Sequence, residues 1–223
     1  MKKHQQAGFT LVEIAIVLVI IGLLLGGVLK GQEMISSAKV KALANEIRAV
    51  SAAYYGYQDR FRSIPGDDVL AATTAHLGAT VNGATIVTPT AANAGNGRIN
   101  TGTWVGTAAG VATAGNESSV FWNHARAGGF LTGDAGVGSA SNSVGGKLGI
   151  TSNTVISTIT ASTVFVCSGA LDNKIAAQLD STMDDGLSNT GGVQAVVGAA
   201  VTASTPAAAA YTINNIYTIC TGI

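Results

Sequence analysis

The sequence predicts an α+β fold in which a long N-terminal helix, transmembrane and then amphipathic, packs on a C-terminal antiparallel sheet. Three observations predict it. Residues 9–29 are apolar apart from Thr10 and Glu13. An apolar stripe then continues at helical steps as far as Phe61. After Phe130 come short β-rich runs separated by turn residues, with one helical run among them, an order that suits an antiparallel sheet.

The first element follows from length and polarity. Phe9 to Leu29 is 21 residues, and as a helix it spans about 31 Å, the thickness of a bilayer's hydrocarbon core. Lys2 and Lys3 precede it, which predicts a cytoplasmic leader and an outward-facing remainder. An ordinary secretory signal loses its apolar stretch on cleavage. Here the small-residue pair Ala7-Gly8 comes before that stretch, so a cut there keeps the span. Losing Lys2 and Lys3 leaves 10 basic against 12 acidic side chains, a net charge of −2. Glu13 is the costly residue. An acid at the centre of a membrane helix costs about 2.5–3.5 kcal/mol on insertion scales, and less near an interface. No Lys or Arg lies within the span. A cut after Gly8 creates a positive amine at Phe9, one helical turn from Glu13. Pairing of these groups within or between chains offsets the cost, and between chains it sets axial register.

GFTLVE followed by an apolar run, after a short basic leader ending in glycine, resembles the type IV prepilin signature. That resemblance implies cleavage between Gly8 and Phe9 by a prepilin peptidase, N-methylation of Phe9, and Glu13 as the residue that neutralises a neighbouring subunit's N-terminus during assembly. It implies a pilin-like fold with a leader at residues 1–8, a transmembrane and assembly half of the helix at 9–30, an amphipathic half at 31–62, and a soluble head at 63–223. Many type IVa pilins carry a proline where this chain has Lys30. Gly22, Gly26, Gly27 and Gly31 leave this part as the weakest stretch of the helix, since glycine costs about 1 kcal/mol relative to alanine.

Val40, Leu43, Ile47, Val50, Tyr54, Tyr57 and Phe61 form the amphipathic stripe, with charged residues mostly around the rest of the helix. Its aromatic end reads as core packing. Ser63-Ile64-Pro65-Gly66-Asp67 ends the helix with a type II turn, and Asp67 is expected to cap a short helix from Asp68. Residues 75–115, rich in Gly, Ala, Thr and Asn, read as loop with one short strand at 85–87. Residues 116–130 read as a short helix capped by Asn116 or Ser118 and ended by Gly128-Gly129. Strands are expected at 147–151, 160–167, 192–201 and 211–220, and a helix at 170–183. The segments YGYQDRFRSIPGDD, SVFWNHARAGGFLTGD and DNKIAAQLDSTMDDGLSNTGGVQA resemble recurring segments of proteobacterial pilin-like proteins.

Cys167 and Cys220 are too far apart for a zinc ribbon or a redox pair. Outside the cytoplasm they read as a structural disulfide, worth about 4 kcal/mol on a chain-entropy model. Zero formal charge with 11% charged residues gives no basic patch for nucleic acid. There is no HExxH, GxSxG, Rossmann glycine pattern or CxxC, so no enzyme and no organic cofactor are expected. His124 lies on an apolar helix face and reads as structural. Asp180, Asp184 and Asp185 are the weak candidates for metal: calcium could sit on their oxygens, but the spacing is not that of an EF-hand. An acidic turn closed by Gly186 is the favoured reading.

The expected function is a structural subunit that polymerises into a type IV pilus. Its partners are copies of itself, prepilin peptidase, the inner-membrane assembly machinery and, before assembly, membrane lipid. The expected location is the bacterial inner membrane with a periplasmic head, then the extracellular pilus. Two alternatives stand beside it: a pseudopilin of type II secretion, and a minor pilin whose loop 75–115 binds a surface.

Overall fold

The computed structural model describes residues 10–89, 94–101, 115–136, 138–153, 155–156, 158–159, 164–198 and 210–223. Helix α1 runs from Leu11 to Phe61. The chain divides into two units, Met1–Ala38 and Lys39–Ile223. The described part of the first is helical, and its large apolar side chains from Leu11 to Ile35 are exposed.

The second unit is the head. Its share of α1 buries Val40, Leu43, Ala44, Ile47, Val50, Ala53, Tyr54 and Tyr57. These are the inward positions of the expected stripe, with two alanines that let the backbone approach closely. Phe61, the last member of that stripe, is only half-buried. After α1 come α2 (Leu70–Leu77), a small hairpin of β1 (Thr80–Val81) and β2 (Ala84–Thr85), and α3 (Glu117–Ala127). Then follow β3 (Leu148–Thr151), β4 (Phe165–Asp172), α4 (Asn173–Met183), β5 (Val193–Val197) and β6 (Ile216–Gly222). The main sheet has the order β3-β4-β6-β5 and every neighbour is antiparallel.

Alternation along β4 sorts its side chains between two clusters, as a period of two requires. Val166 joins the main core with Leu43, Ile47, Trp122, Leu179 and Ile219. Phe165 and Cys167 join a smaller cluster with Val155, Ile156 and Val196. Cys167 lies directly opposite Cys220 in the β4–β6 register, and the two form a fully buried disulfide in that smaller cluster.

Several local expectations shift. The helix expected at 170–183 begins at Asn173, because Leu171 and Asp172 pair with Tyr217 and Ile216 of β6. One extra residue between Ser168 and Leu171 bulges the strand, with Ala170 at φ 60°. Asp172 then caps α4, accepting from the Lys174 and Ile175 N–H groups. The strand expected at 160–167 begins at Phe165; residues 160–163 lie outside those described. Of the strand expected at 192–201 the described part is Val193–Val197, residues 199–201 lying outside those described, and the strand expected at 211–220 runs from Ile216 to Gly222.

The Asp67 cap is a correction. Helix α2 starts at Leu70 without a side-chain cap. Asp67 instead turns to the segment 94–101 and accepts from the N–H groups of Gly95, Asn96 and Gly97 at 2.7, 3.1 and 2.7 Å. Glu117 extends this anchorage, taking the Asn100 and Thr101 N–H groups on Oε2 at 2.7 and 3.0 Å. Two buried carboxylates thus hold one loop through five amides.

The expected turn after α1 does form. Asp67 N–H donates to the Ile64 carbonyl at 3.1 Å, and Gly66 takes φ 96°, the backbone of position three in a type II turn. A Cβ there would lie 2.6 Å from the Glu117 carbonyl oxygen, so only glycine fits. The strand expected at 85–87 is the two-residue β2, closed onto β1 by Asn82-Gly83 with both φ positive, a hairpin-turn pattern.

Replacing both Cys167 and Cys220 with serine lowers the unfolding free energy of the head by about 2–5 kcal/mol. Denaturant titration of the full chain reads this, and an unchanged midpoint contradicts a structural role for the bridge.

Candidate assembly site

Between Leu11 and Leu29 the exposed apolar helix carries one carboxylate, Glu13. Glu13 sits at the third helical position of α1, where an anion favours the positive end of the helix dipole. Its Oε2 accepts from the Thr10 N–H at 2.8 Å and from the Thr10 hydroxyl at 2.8 Å. The Glu13 N–H is in turn donated to Thr10 Oγ1 at 3.3 Å. This reciprocal exchange is a capping box, which satisfies donors that an α-helix leaves open at its start. The sequence carried its signature, Thr-x-x-Glu before an apolar run. Reading Glu13 only as a charge in lipid passed over this local role. Gly8 and Phe9 lie outside the described residues.

Leu11, Val12, Ala15, Ile16, Val19 and Ile20 line an apolar surface next to this cap. Farther along, Gly22, Gly26, Gly27 and Gly31 have open space where a Cβ would be. An exposed ion pair joins Lys30 and Glu33 at 2.7 Å, a geometry of small energetic consequence.

A family model, the prokaryotic N-terminal methylation motif, matches residues 3–29. These residues are a type IV prepilin leader signature. No curated protein and no solved structure matches the chain. The signature implies processing by prepilin peptidase and assembly into filaments, and together with the apolar helix it fits membrane anchoring before assembly. It is the mark of a structural pilin-type protein.

The acidic turn has its own internal partners. Asp180, Asp184 and Asp185 place carboxylate oxygens within 4.8 Å of one another. Asp184 Oδ2 accepts from the Gly192 and Val193 N–H groups at 2.6 and 3.0 Å, closing the turn into β5. Asp185 accepts from the Leu187 N–H and the Thr190 hydroxyl, and the latter bond holds its carboxyl below the usual range. Asp180 is fully buried and accepts from the Tyr211 hydroxyl at 2.5 Å and the Gly186 N–H at 3.3 Å. Burial nevertheless raises its carboxyl pKa. Gly186 takes φ 82°, as the turn reading expects.

The two head histidines are held as structural parts. Buried Asp68 gathers Tyr57 OH and Ser63 OH at 2.8 Å each, and His76 Nδ1 at 2.9 Å. His124 is fully buried, accepts the Gly66 N–H on Nδ1 at 3.1 Å, and donates from Nε2 to the Val87 carbonyl at 2.7 Å. That pairing uses the neutral ring, and burial depresses its pKa to about 4. The Asp68 contacts are within eleven positions, whereas those of His124 reach 58 and 37 positions away and no local pattern announces them.

The depressed value sets a direction for acid sensitivity. The folded pKa lies below the unfolded value of about 6.5, so the unfolded chain takes up the proton first. Stability is therefore full above about pH 6.5 and falls as pH drops towards 4, by about 3 kcal/mol for this residue. Glu117 and Asp180, raised by burial, oppose that slope. His124→Gln flattens the loss of melting temperature over this window, and a slope equal to the parent's contradicts the assignment.

Proposed function

We propose that the chain is the structural subunit of a type IV pilus, polymerising through residues 9–30 after cleavage between Gly8 and Phe9. The reading is carried by the methylation motif over residues 3–29, which from Leu11 onward is an exposed apolar helix holding one carboxylate, Glu13. Prepilin peptidase frees the amine of Phe9 and methylates it. In the filament, Glu13 leaves or shares its Thr10 cap and meets the Phe9 amine of a neighbouring subunit. The inner membrane holds the subunit beforehand, with the head in the periplasm, and the assembled pilus is extracellular.

The Cys167–Cys220 disulfide favours a pilus subunit over a pseudopilin of type II secretion. It crosslinks two adjacent strands of the head, a reinforcement suited to a subunit exposed outside the cell, where disulfides persist.

Two substitutions separate the cap from the pairing. Glu13→Gln keeps an oxygen for the Thr10 N–H, since glutamine serves in a capping box, but removes the charge. It leaves the protein in the membrane and lowers incorporation into sheared filaments about tenfold, near the worth of one interhelical polar contact in lipid. Glu13→Ala, which loses both roles, assembles no better. Parent-level incorporation of Glu13→Gln contradicts charge pairing.

A further inference from the structure

The sequence contains Asn-Gly twice, at Asn82-Gly83 and at Asn96-Gly97. The dipeptide is chemically distinctive because glycine has no side chain to shield its amide nitrogen, which is placed to attack the carboxamide of the preceding asparagine. Both pairs are exposed, yet the fold treats their nitrogens in opposite ways. Asn96-Gly97 is held shut. The Gly97 N–H donates to Asp67 Oδ2 at 2.7 Å, and the Asn96 N–H donates to Oδ1 of the same buried carboxylate at 3.1 Å. Asn96 Oδ1 accepts from the Arg98 N–H at 2.8 Å, which fixes the carboxamide. The nitrogen is a nucleophile only without its proton, and an amide bonded to a carboxylate resists losing it, since the new anion would face a like charge at close range.

Asn82-Gly83 is open. It forms the tip of the β1–β2 hairpin, with Asn82 at φ 50° and Gly83 at φ 81°. The Gly83 N–H has no acceptor among the described residues, and nothing lies within 4 Å of where its Cβ would be. Attack requires a rotation about the Asn82 Cα–C bond that the closed turn restrains. The restraint is slight, because only Thr80↔Thr85 and Val81↔Ala84 pair, and so short a two-stranded ladder has little stability of its own. Beyond the hairpin, the Asn123 carboxamide grips the Thr85 carbonyl at 3.2 Å and the Val87 N–H at 3.0 Å. The tip therefore opens locally while its base stays docked on α3.

We propose that Asn82 is a site of spontaneous covalent modification, deamidating through a succinimide formed with Gly83, and that the Asp67 carboxylate protects Asn96 from the same reaction. The Gly83 nitrogen, its proton lost to solvent base, bonds to Asn82 Cγ. The Cγ–Nδ2 bond breaks and ammonia leaves with a proton from water. One water then opens either carbonyl of the ring, leaving aspartate or β-linked isoaspartate at position 82. Both products add a negative charge at the hairpin tip. The β-linked product also adds one backbone atom to a two-residue turn whose geometry sets the strand register, so it unlatches β1 from β2. The reaction needs no partner and is independent of the role proposed for the chain.

The test is peptide mass spectrometry on the full chain incubated in detergent and mildly alkaline H₂¹⁸O, folded in one sample and unfolded by urea in the other. Incorporation of ¹⁸O marks asparagines converted during the incubation. Unfolding frees both nitrogens, so the two sites are expected to react at similar rates in urea. In the folded chain the ratio of the Asn82 rate to the Asn96 rate is expected to be at least about tenfold larger than in urea, the worth of one hydrogen bond to a charged acceptor. The assignment is overturned if that ratio is the same in both samples, or if Asn82 is converted in urea and not in the folded chain.

Discussion

Between Val40 and Tyr54, α1 buries its apolar stripe in the same cluster as the inward side chains of β3, β4, β5 and β6. Everything else in the head is arranged around that contact. Trp122 and Phe121 of α3 and Leu179 of α4 fill the same cluster, so both short helices are positioned by the side chains they lend to it. Towards its N-terminus the helix changes solvent. From Leu11 to Ile35 its large side chains are apolar and exposed, which in water is unfavourable over that length and in lipid is the stable choice. One continuous element is therefore packed in a protein core along one stretch and carries an exposed apolar surface that fits membrane anchoring along another.

Buried carboxylates give the head its second layer of order. Asp67 and Glu117 collect backbone amides from 94–101, Asp68 collects side-chain donors including Tyr57 of α1 and His76 of α2, and Asp180 accepts from Gly186 and Tyr211, while the exposed Asp184 closes the turn ahead of β5. Such groups are costly to bury unless they are hydrogen-bonded, so each one fixes the segment that supplies its donors. In this way Asp67 and Glu117 together fix the glycine-rich segment 94–101 to the head. Glu13, though exposed, likewise takes its donors locally, from Thr10 at the first turn of α1.

The parts legible in the sequence were those with a strong local period. The stripe from Val40 to Tyr57 matches the buried positions, and the apolar span and prepilin signature were visible from residue types alone. The turn at Pro65-Gly66 was legible because glycine is required there. The start of α4 was misplaced since Ala170 and Leu171 suit a helix as well as a strand, and pairing with β6 decided the matter. The β1–β2 hairpin had a readable signal in Asn82-Gly83, hidden within a stretch of low periodicity. Asp67 was read as a cap on account of its position, yet its partners lie near residue 96, and no local pattern encodes a contact across that separation. The Thr10–Glu13 box is legible as Thr-x-x-Glu ahead of an apolar run.

Peptide mass spectrometry on filaments sheared from native cells tests the central claim most directly. A dominant N-terminal peptide beginning at methylated Phe9 is the result this account requires, since it establishes both processing and incorporation. An uncut N-terminus, or a processed chain found only in the envelope and never in sheared material, would contradict a role as a pilus subunit.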